Sequence, residues 1–375
     1  MRRSGSGGRP PGLGLLVATW NLGGCAPDPG AFRWPGTRGD GARQPLADFV
    51  CVASQEAHYR VPGGEPLVTR AAKAVGAFAG AAAAKTLGAG GVTCAFLTAA
   101  GYLLARYAVA EARCRRHWLC TVESSLRSGD NEEYRLVAYA CLIHMRVAVF
   151  ARQWPPGVGG GLETTGVSVK RVPTGVLGVL GNKGGILVRL RLERKGEASQ
   201  CKPEVLNFIA VHLAPHEQPR QKRLQEREAM LCKVLRACPG CSARPCEDPQ
   251  FSDALATVLL GDLNYRVDSE GLPASAIAGR RWEELLRHDQ LSALMKDGSL
   301  LQGFREGSLS FAPTYKLKRG KYVANRTPSW CDRILFLTPG GPGMLQIGEY
   351  CSPSGILGPW DHRPVFANCR LIPKC

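Results

Sequence analysis

The segment Val258 to Arg266, VLLGDLNYR, restricts the fold of this chain more than any other stretch. Three apolar residues run straight into Gly261, Asp262, Asn264 and Arg266. An apolar run that stops at Gly-Asp-x-Asn is expected to be a buried strand whose carboxyl end opens into a cleft, the usual place for ligands in an α/β sheet. Side chains two apart on a strand point the same way, so Asp262 and Asn264 are expected to act on one atom. A strand-end turn would use the same residue types. Other segments have to decide between the two.

Several do. Leu13 to Asn21 (LGLLVATWN) is expected to be a first core strand presenting Asn21, and Asp48 to Ser54 a second that leads into Gln55-Glu56. Polar ends thus collect at one rim. Arg135 to Phe150 has the β-branched and aromatic content of one or two strands, and Val205 to Leu213 is a strand carrying His212 at its end. Arg220 to Leu235 and Trp282 to Leu294 are expected to be helices, the latter amphipathic. The loop Gly181 to Gly185 carries Asn182 and Lys183 without the spacing of a Walker A loop; its glycines let backbone N–H groups approach an anion. Towards the end, Arg326-Thr-Pro-Ser-Trp-Cys-Asp332-Arg333 leads an apolar strand, and Asp361 and His362 stand side by side before another.

A chain of 375 residues with 45% apolar and 21% charged side chains is globular and can bury a large core. A net charge of +17 favours an anionic partner: a phosphorylated ligand, a membrane surface or nucleic acid. Fifteen cysteines without regular spacing read as reduced thiols in a cytoplasmic protein, and Cys238, Cys241 and Cys246 lack the second pair of a zinc site. Met1 to Pro11 has the composition of a mobile tail. The Ala/Gly-rich segment 74–105 includes an uncharged run from Thr86 to Ala105, long enough to enter a bilayer as a hairpin or to pack as a helical insertion, with Arg106, Arg113, Arg115 and Arg116 behind it.

Together, TWN at 19–21, QE at 55–56, GNKGG at 181–185, HLAPH at 212–216, GDLNYR at 261–266, PTYK at 313–316, RTPSWCDRIL at 326–335 and DHRPV at 361–365 resemble the inositol polyphosphate 5-phosphatases of the endonuclease/exonuclease/phosphatase superfamily. The resemblance implies a four-layer α/β/β/α sandwich of the DNase type, formed by residues 12–373 as one catalytic domain. It implies Mg²⁺ held by Glu56, Asn21 and Asp361, and direct attack by water on the 5-phosphate of a phosphoinositide lipid or inositol polyphosphate. Asp262 with Asn264 would handle the water, Asp332 would orient His362, and His212 would steady the phosphate. Tyr315, Lys316 and Arg326 would recognise a neighbouring phosphate, with Asn182, Lys183 and Arg333 near the substrate. Departures are Trp360 in place of the usual serine, the basic run Lys318, Arg319 and Lys321, and the 74–105 insertion.

Peripheral attachment to an anionic, cytosolic membrane face is expected from the net positive charge and the arginines behind 74–105, with no nucleic-acid partner and no indication of oligomeric state. Two rivals remain at this stage. A nuclease of the same superfamily would suit the charge, and a catalytically silent phosphoinositide-binding membrane protein would use the same binding groups.

Overall fold

The computed structural model describes residues 12–32, 47–62, 81–82, 91–126, 134–153, 162–175, 182–194, 203–216, 219–238, 241, 251–270 and 272–372. Strands apolar at both odd and even positions must be covered on both faces, and that requirement sets the architecture. β1 (Leu13–Asn21) directs Leu13, Leu15 and Val17 into one core and Leu16, Ala18 and Trp20 into another. It is followed by β2 (Phe49–Gln55), the long helix α1 (Gly91–Leu126), and a hairpin of β3 (Tyr134–Leu142) and β4 (Met145–Arg152). Then come β5 (Leu162–Pro173), β6 (Gly184–Arg194), β7 (Glu204–His212), α2 (Arg220–Arg236) and β8 (Ala256–Asp262). Three short helices follow, α3 (Ala274–Ala278), α4 (Trp282–Leu286) and α5 (Gln290–Lys296), with β9 (Arg305–Glu306) and the small hairpin β10 (Leu317–Lys318) and β11 (Lys321–Tyr322). β12 (Asp332–Leu337), β13 (Leu345–Cys351) and β14 (Val365–Leu371) complete the order.

The large strands form two six-stranded sheets, β13-β14-β1-β2-β4-β3 and β5-β6-β7-β8-β12-β9. Their facing sides interlock through Val17, Phe49, Val147, Val188, Phe208, Val258, Leu260 and Ile334, all fully buried. α1 covers the outer face of the first sheet with Cys114, Trp118, Val122 and Leu126. α2 covers the second with Leu231, Val234 and Leu235. The four layers expected from the sequence are therefore present.

Within each sheet one pair is parallel, β1 with β2 and β7 with β8, so four carboxyl ends reach the same rim. The register there aligns Asn21 with Gln55, and His212 with Asp262. The antiparallel neighbour β12 starts at that rim with Asp332 opposite Asp262. Gly261 makes this convergence possible, since it adopts φ +139° and a Cβ there would lie 2.0 Å from the carbonyl oxygen of Val211.

Some local expectations change. The helix expected over Trp282 to Leu294 is two, α4 and α5, because Asp289 leaves the helical region and caps the second by accepting from the Ser292 N–H. The 74–105 insertion does not end at Ala105: residues 91–105 are the first part of α1, which runs on to Leu126. Most of 74–90, residues 1–11, the glycine-rich residues 157–161 and Cys246 lie outside the described residues. Among the described residues, no helix is long and apolar enough to cross a membrane.

Candidate active site

Asp262 is at the centre of the rim, with its carboxylate buried at the join of the two sheets. Asn21 Nδ2 donates to Oδ2 of Asp262 at 2.9 Å, and the backbone N–H of Asn264 donates to Oδ1 at 3.0 Å. His212 Nε2 approaches Oδ2 at 3.4 Å. Burial alone would raise the Asp262 pKa, but the His212 hydrogen bond and the positive potential of His362 and Lys183 outweigh it and hold the carboxyl far below the usual range. It is an anion with fixed orientation. Burial and the adjacent Lys183 ammonium lower the His212 pKa and favour its neutral form.

Across the rim, Asp332 Oδ2 accepts from Thr314 Oγ1 at 2.6 Å and from His362 Nδ1 at 2.7 Å. Burial would lower the His362 pKa, yet the Asp332 charge and hydrogen bond, with Asp262 and Asp361 beyond, raise it to about 9. Burial raises Asp332 as well, so the pair carries its proton through neutral pH. Donor atoms of Asp262, Asp332 and His362 all lie within 4.8 Å of one another. A protonated imidazole bound to a carboxylate makes this trio a proton-holding cluster, poorly suited to receiving a cation.

The oxygen donors expected to hold a metal lie at the mouth. Glu56 adopts a left-handed conformation, φ 49°, at the end of β2 and is exposed. Its backbone carbonyl accepts from the Gly24 N–H, while Asn21 Oδ1 accepts from the Gly23 N–H at 3.0 Å. Gly23 has φ +53°, and a Cβ there would lie 2.5 Å from Asp361 Oδ1, so only glycine lets that carboxylate close on the turn. Asn21, Glu56 and Asp361 therefore surround one short turn with oxygen donors, two of them carboxylates open to solvent, a set that fits a hard divalent cation.

Lys183 Nζ is 3.7 Å from Glu56 Oε1, and burial lowers its pKa although Asp262 and Glu56 oppose that. Asn182 precedes it, exposed in the turn. Tyr315 lies over His362 with ring centroids 4.6 Å apart, and Lys316 Nζ is 3.5 Å from Asp361 Oδ2. Arg326 is exposed, and its charge is one of four, with Arg223, Arg266 and Lys183, that add to desolvation in lowering His216. A cationic margin thus adjoins the Asp262 anion, as a polyphosphate ligand requires.

Two expectations are corrected. Arg333 is not at the substrate: it is fully buried on β12, bonded to Asp289 at 2.8 Å and to both carboxylate oxygens of Glu306 at 2.6 and 2.7 Å. It follows Asp332 on a strand, so it must face the opposite way. Asn264 does not share a face with Asp262, because β8 ends at Asp262 and Asn264 turns left-handed, φ 58°. Its side chain donates to the Leu213 carbonyl at 3.2 Å and accepts from Arg266 at 2.6 Å. Its contribution to Asp262 is the backbone N–H.

Sequence reasoning assigned no role to Thr314, Arg266, His216 or Arg227. Arg266 lies over the Tyr315 ring at 4.2 Å, and buried Arg227 reaches from α2 to the carbonyls of Ala214 and His216, bracing the loop after His212. Thr314 and Arg266 stand inside PTYK and GDLNYR and could have been singled out there. Arg227 has no local signal beyond its place on a helix.

A family model described as endonuclease/exonuclease/phosphatase family 2 matches residues 18–368. The type IV inositol polyphosphate 5-phosphatase 9 of Arabidopsis thaliana is 29% identical over 260 residues, covering 65% of this chain and 57% of that protein. The type II inositol 1,4,5-trisphosphate 5-phosphatase of Mus musculus is 28% identical over 256 residues, covering 66% of this chain and 23% of that protein. This chain therefore spans less than two thirds of either relative's length. Among solved structures, the inositol polyphosphate 5-phosphatase domain of SPsynaptojanin, in complex with inositol (1,4)-bisphosphate and calcium ion, aligns with a TM-score of 0.61. It is 22% identical, with 96% of this chain and 84% of that one covered, a likeness of fold.

Proposed function

Because this chain belongs to endonuclease/exonuclease/phosphatase family 2, we propose that it is a phosphomonoesterase. Its substrates are phosphoinositides such as the phosphatidylinositol 4,5-bisphosphate and 3,4,5-trisphosphate lipids, or soluble inositol polyphosphates, from which it removes the 5-phosphate. The names of the relatives support that substrate class. The observation that carries the reading is the buried Asp262 anion, held by Asn21 and His212 directly opposite the Asp332–His362 pair. One orienting carboxylate and one protonated imidazole across a narrow rim suit attack by water on a phosphate.

Asn21, Glu56 and Asp361 are the residues that would hold Mg²⁺. When bound, the ion supplies charge neutralisation at the phosphate oxygens. Asp262 is too acidic to take a proton before the reaction begins, so it accepts a hydrogen bond from the water and fixes its line of attack, receiving the proton only as the new P–O bond forms. His362, with Nδ1 engaged by Asp332, offers its other nitrogen to a phosphate oxygen. Lys183 and the neutral His212 sit on the Glu56 side of the same phosphate. Tyr315, Lys316 and Arg326 meet the neighbouring phosphate.

The test is Mg²⁺-dependent phosphate release from inositol 1,4,5-trisphosphate by wild type and by Asp262→Ala. Release is expected to fall by about 10²–10⁴-fold in the variant. Equal release by both proteins would overturn the assignment.

A further inference from the structure

α1 has a core-facing stripe that outruns the sheet it covers. Steps of three and four residues link Glu111, Cys114, Trp118, Thr121, Val122 and Ser125, all buried. Contacts fix the direction: Trp118 Nε1 donates to Ser54 within β2, Cys114 Sγ to the Ala57 carbonyl just past it, and Glu111 meets His58 at 2.9 Å. One turn earlier, Tyr107 hydrogen-bonds His144, in the β3–β4 turn, at 3.1 Å. Ser54 pairs with Arg146, so that turn lies at the same end of the sheet as Glu56. N-terminal to Tyr107 the sheet has ended and the helix has not.

The stripe continues there with the same spacing, through Ala100, Leu103, Leu104 and Tyr107. Leu103 is 58% and Leu104 69% exposed, with Tyr102 and Tyr107 exposed beside them. By the usual rise, the helix runs about 24 Å from Tyr107 back to Gly91. Exposed Arg106 adjoins the apolar residues, and at the same end of the molecule the β10–β11 turn exposes Lys318, Arg319 and Lys321.

We propose that the N-terminal half of α1 is an arm that docks on an anionic lipid bilayer, with Tyr102, Leu103 and Leu104 entering the interface and Arg106 and the basic β10–β11 turn meeting headgroups. Apolar side chains bordered by cations are the pattern of a helix that lies in the interface plane. Charge complementarity favours this occupant over a second copy of the chain, whose net charge of +17 would oppose pairing of this face. The arm projects from the end that carries the site opening, so docking brings the opening towards the lipid. The proposal rests on the phosphatase reading for what docking delivers, and differs from it in what is bound.

Vesicles of phosphatidylcholine with about 30% phosphatidylserine, free of phosphoinositide, isolate the two claims. Co-sedimentation of the full chain is expected, and Leu103→Ser with Leu104→Ser is expected to weaken it at least about tenfold. Arg106→Glu, which leaves the apolar residues in place, is expected to weaken it in a salt-dependent way. Hydrolysis of soluble inositol trisphosphate by both variants should match wild type, which also shows that they fold. Wild type that ignores these vesicles, or variants that bind them equally, would overturn the proposal, as would a dimer in light scattering that the double variant abolishes. Vesicle binding without hydrolysis of the soluble substrate would leave the arm standing and remove the phosphatase reading.

Discussion

His362 is deeply buried, yet its environment favours the charged form. Its folded value of about 9 stands above the ordinary value of about 6.5, so the folded chain binds the proton more tightly than the unfolded one. The resulting stabilisation is complete below about pH 6.5 and is lost as pH rises through about 9. Turnover of a soluble substrate should fall over the same alkaline range, since the cation facing the phosphate disappears. Asp332→Asn, which removes the main charge behind the shift, should move that alkaline limb to lower pH. A pH profile of kcat/KM checks this, and a limb that stays in place would show that His362 is not the titrating group. Arg333 makes the opposite case. Arg333→Ala would leave Asp289 and Glu306 without their buried cation, and a loss of about 3–5 kcal/mol is expected by denaturant unfolding. KM of the folded fraction should not change, whereas a substrate-binding arginine would raise it.

Among the elements, β8 shows how a strand is ended so as to serve a site. The conformation of Gly261 brings β8 against Val211 while Asp262 turns towards the rim. Gly261→Ala combines a forbidden dihedral with a backbone collision, so a cost of about 3 kcal/mol or more is expected. The measurement is the urea midpoint, with activity lost alongside it. The strands β1, β2, β7 and β8 were legible in the sequence because they are apolar in both phases and end in polar residues. The amphipathic period of Trp282 to Leu294 was equally visible, but Asp289 serves as a cap and as an anchor for Arg333, and periodicity carries no sign of that. Asn264 departs from its expected face for a related reason. The sequence shows spacing, whereas its side-chain direction depends on where the ladder stops.

For the molecule as a whole, the ordered motifs announced four layers and most of the rim. They could not show contacts made by residues hundreds of positions apart, such as Trp360 against Trp20 with centroids at 4.9 Å. Trp360 is 8% exposed, with Nε1 donating to the Ala26 carbonyl, and the Trp20 indole in turn donates to the carbonyl of His362. Where the resemblance leads one to expect serine, this chain packs a tilted aromatic pair behind its imidazole.

The strand orders of the two sheets contain a further relation. From β14 through β1, β2 and β4 to β3 the pairings run antiparallel, parallel, antiparallel, antiparallel. From β12 through β8, β7 and β6 to β5 they run the same way. β1 and β8 thus hold equivalent places in a repeated plan, and so do their last residues, Asn21 and Asp262, which are hydrogen-bonded to each other. A plan repeated without alteration would offer water two matching faces and prefer neither. An amide in one half and a carboxylate in the other break that equivalence, and the difference of a single functional group gives the cleft its polarity.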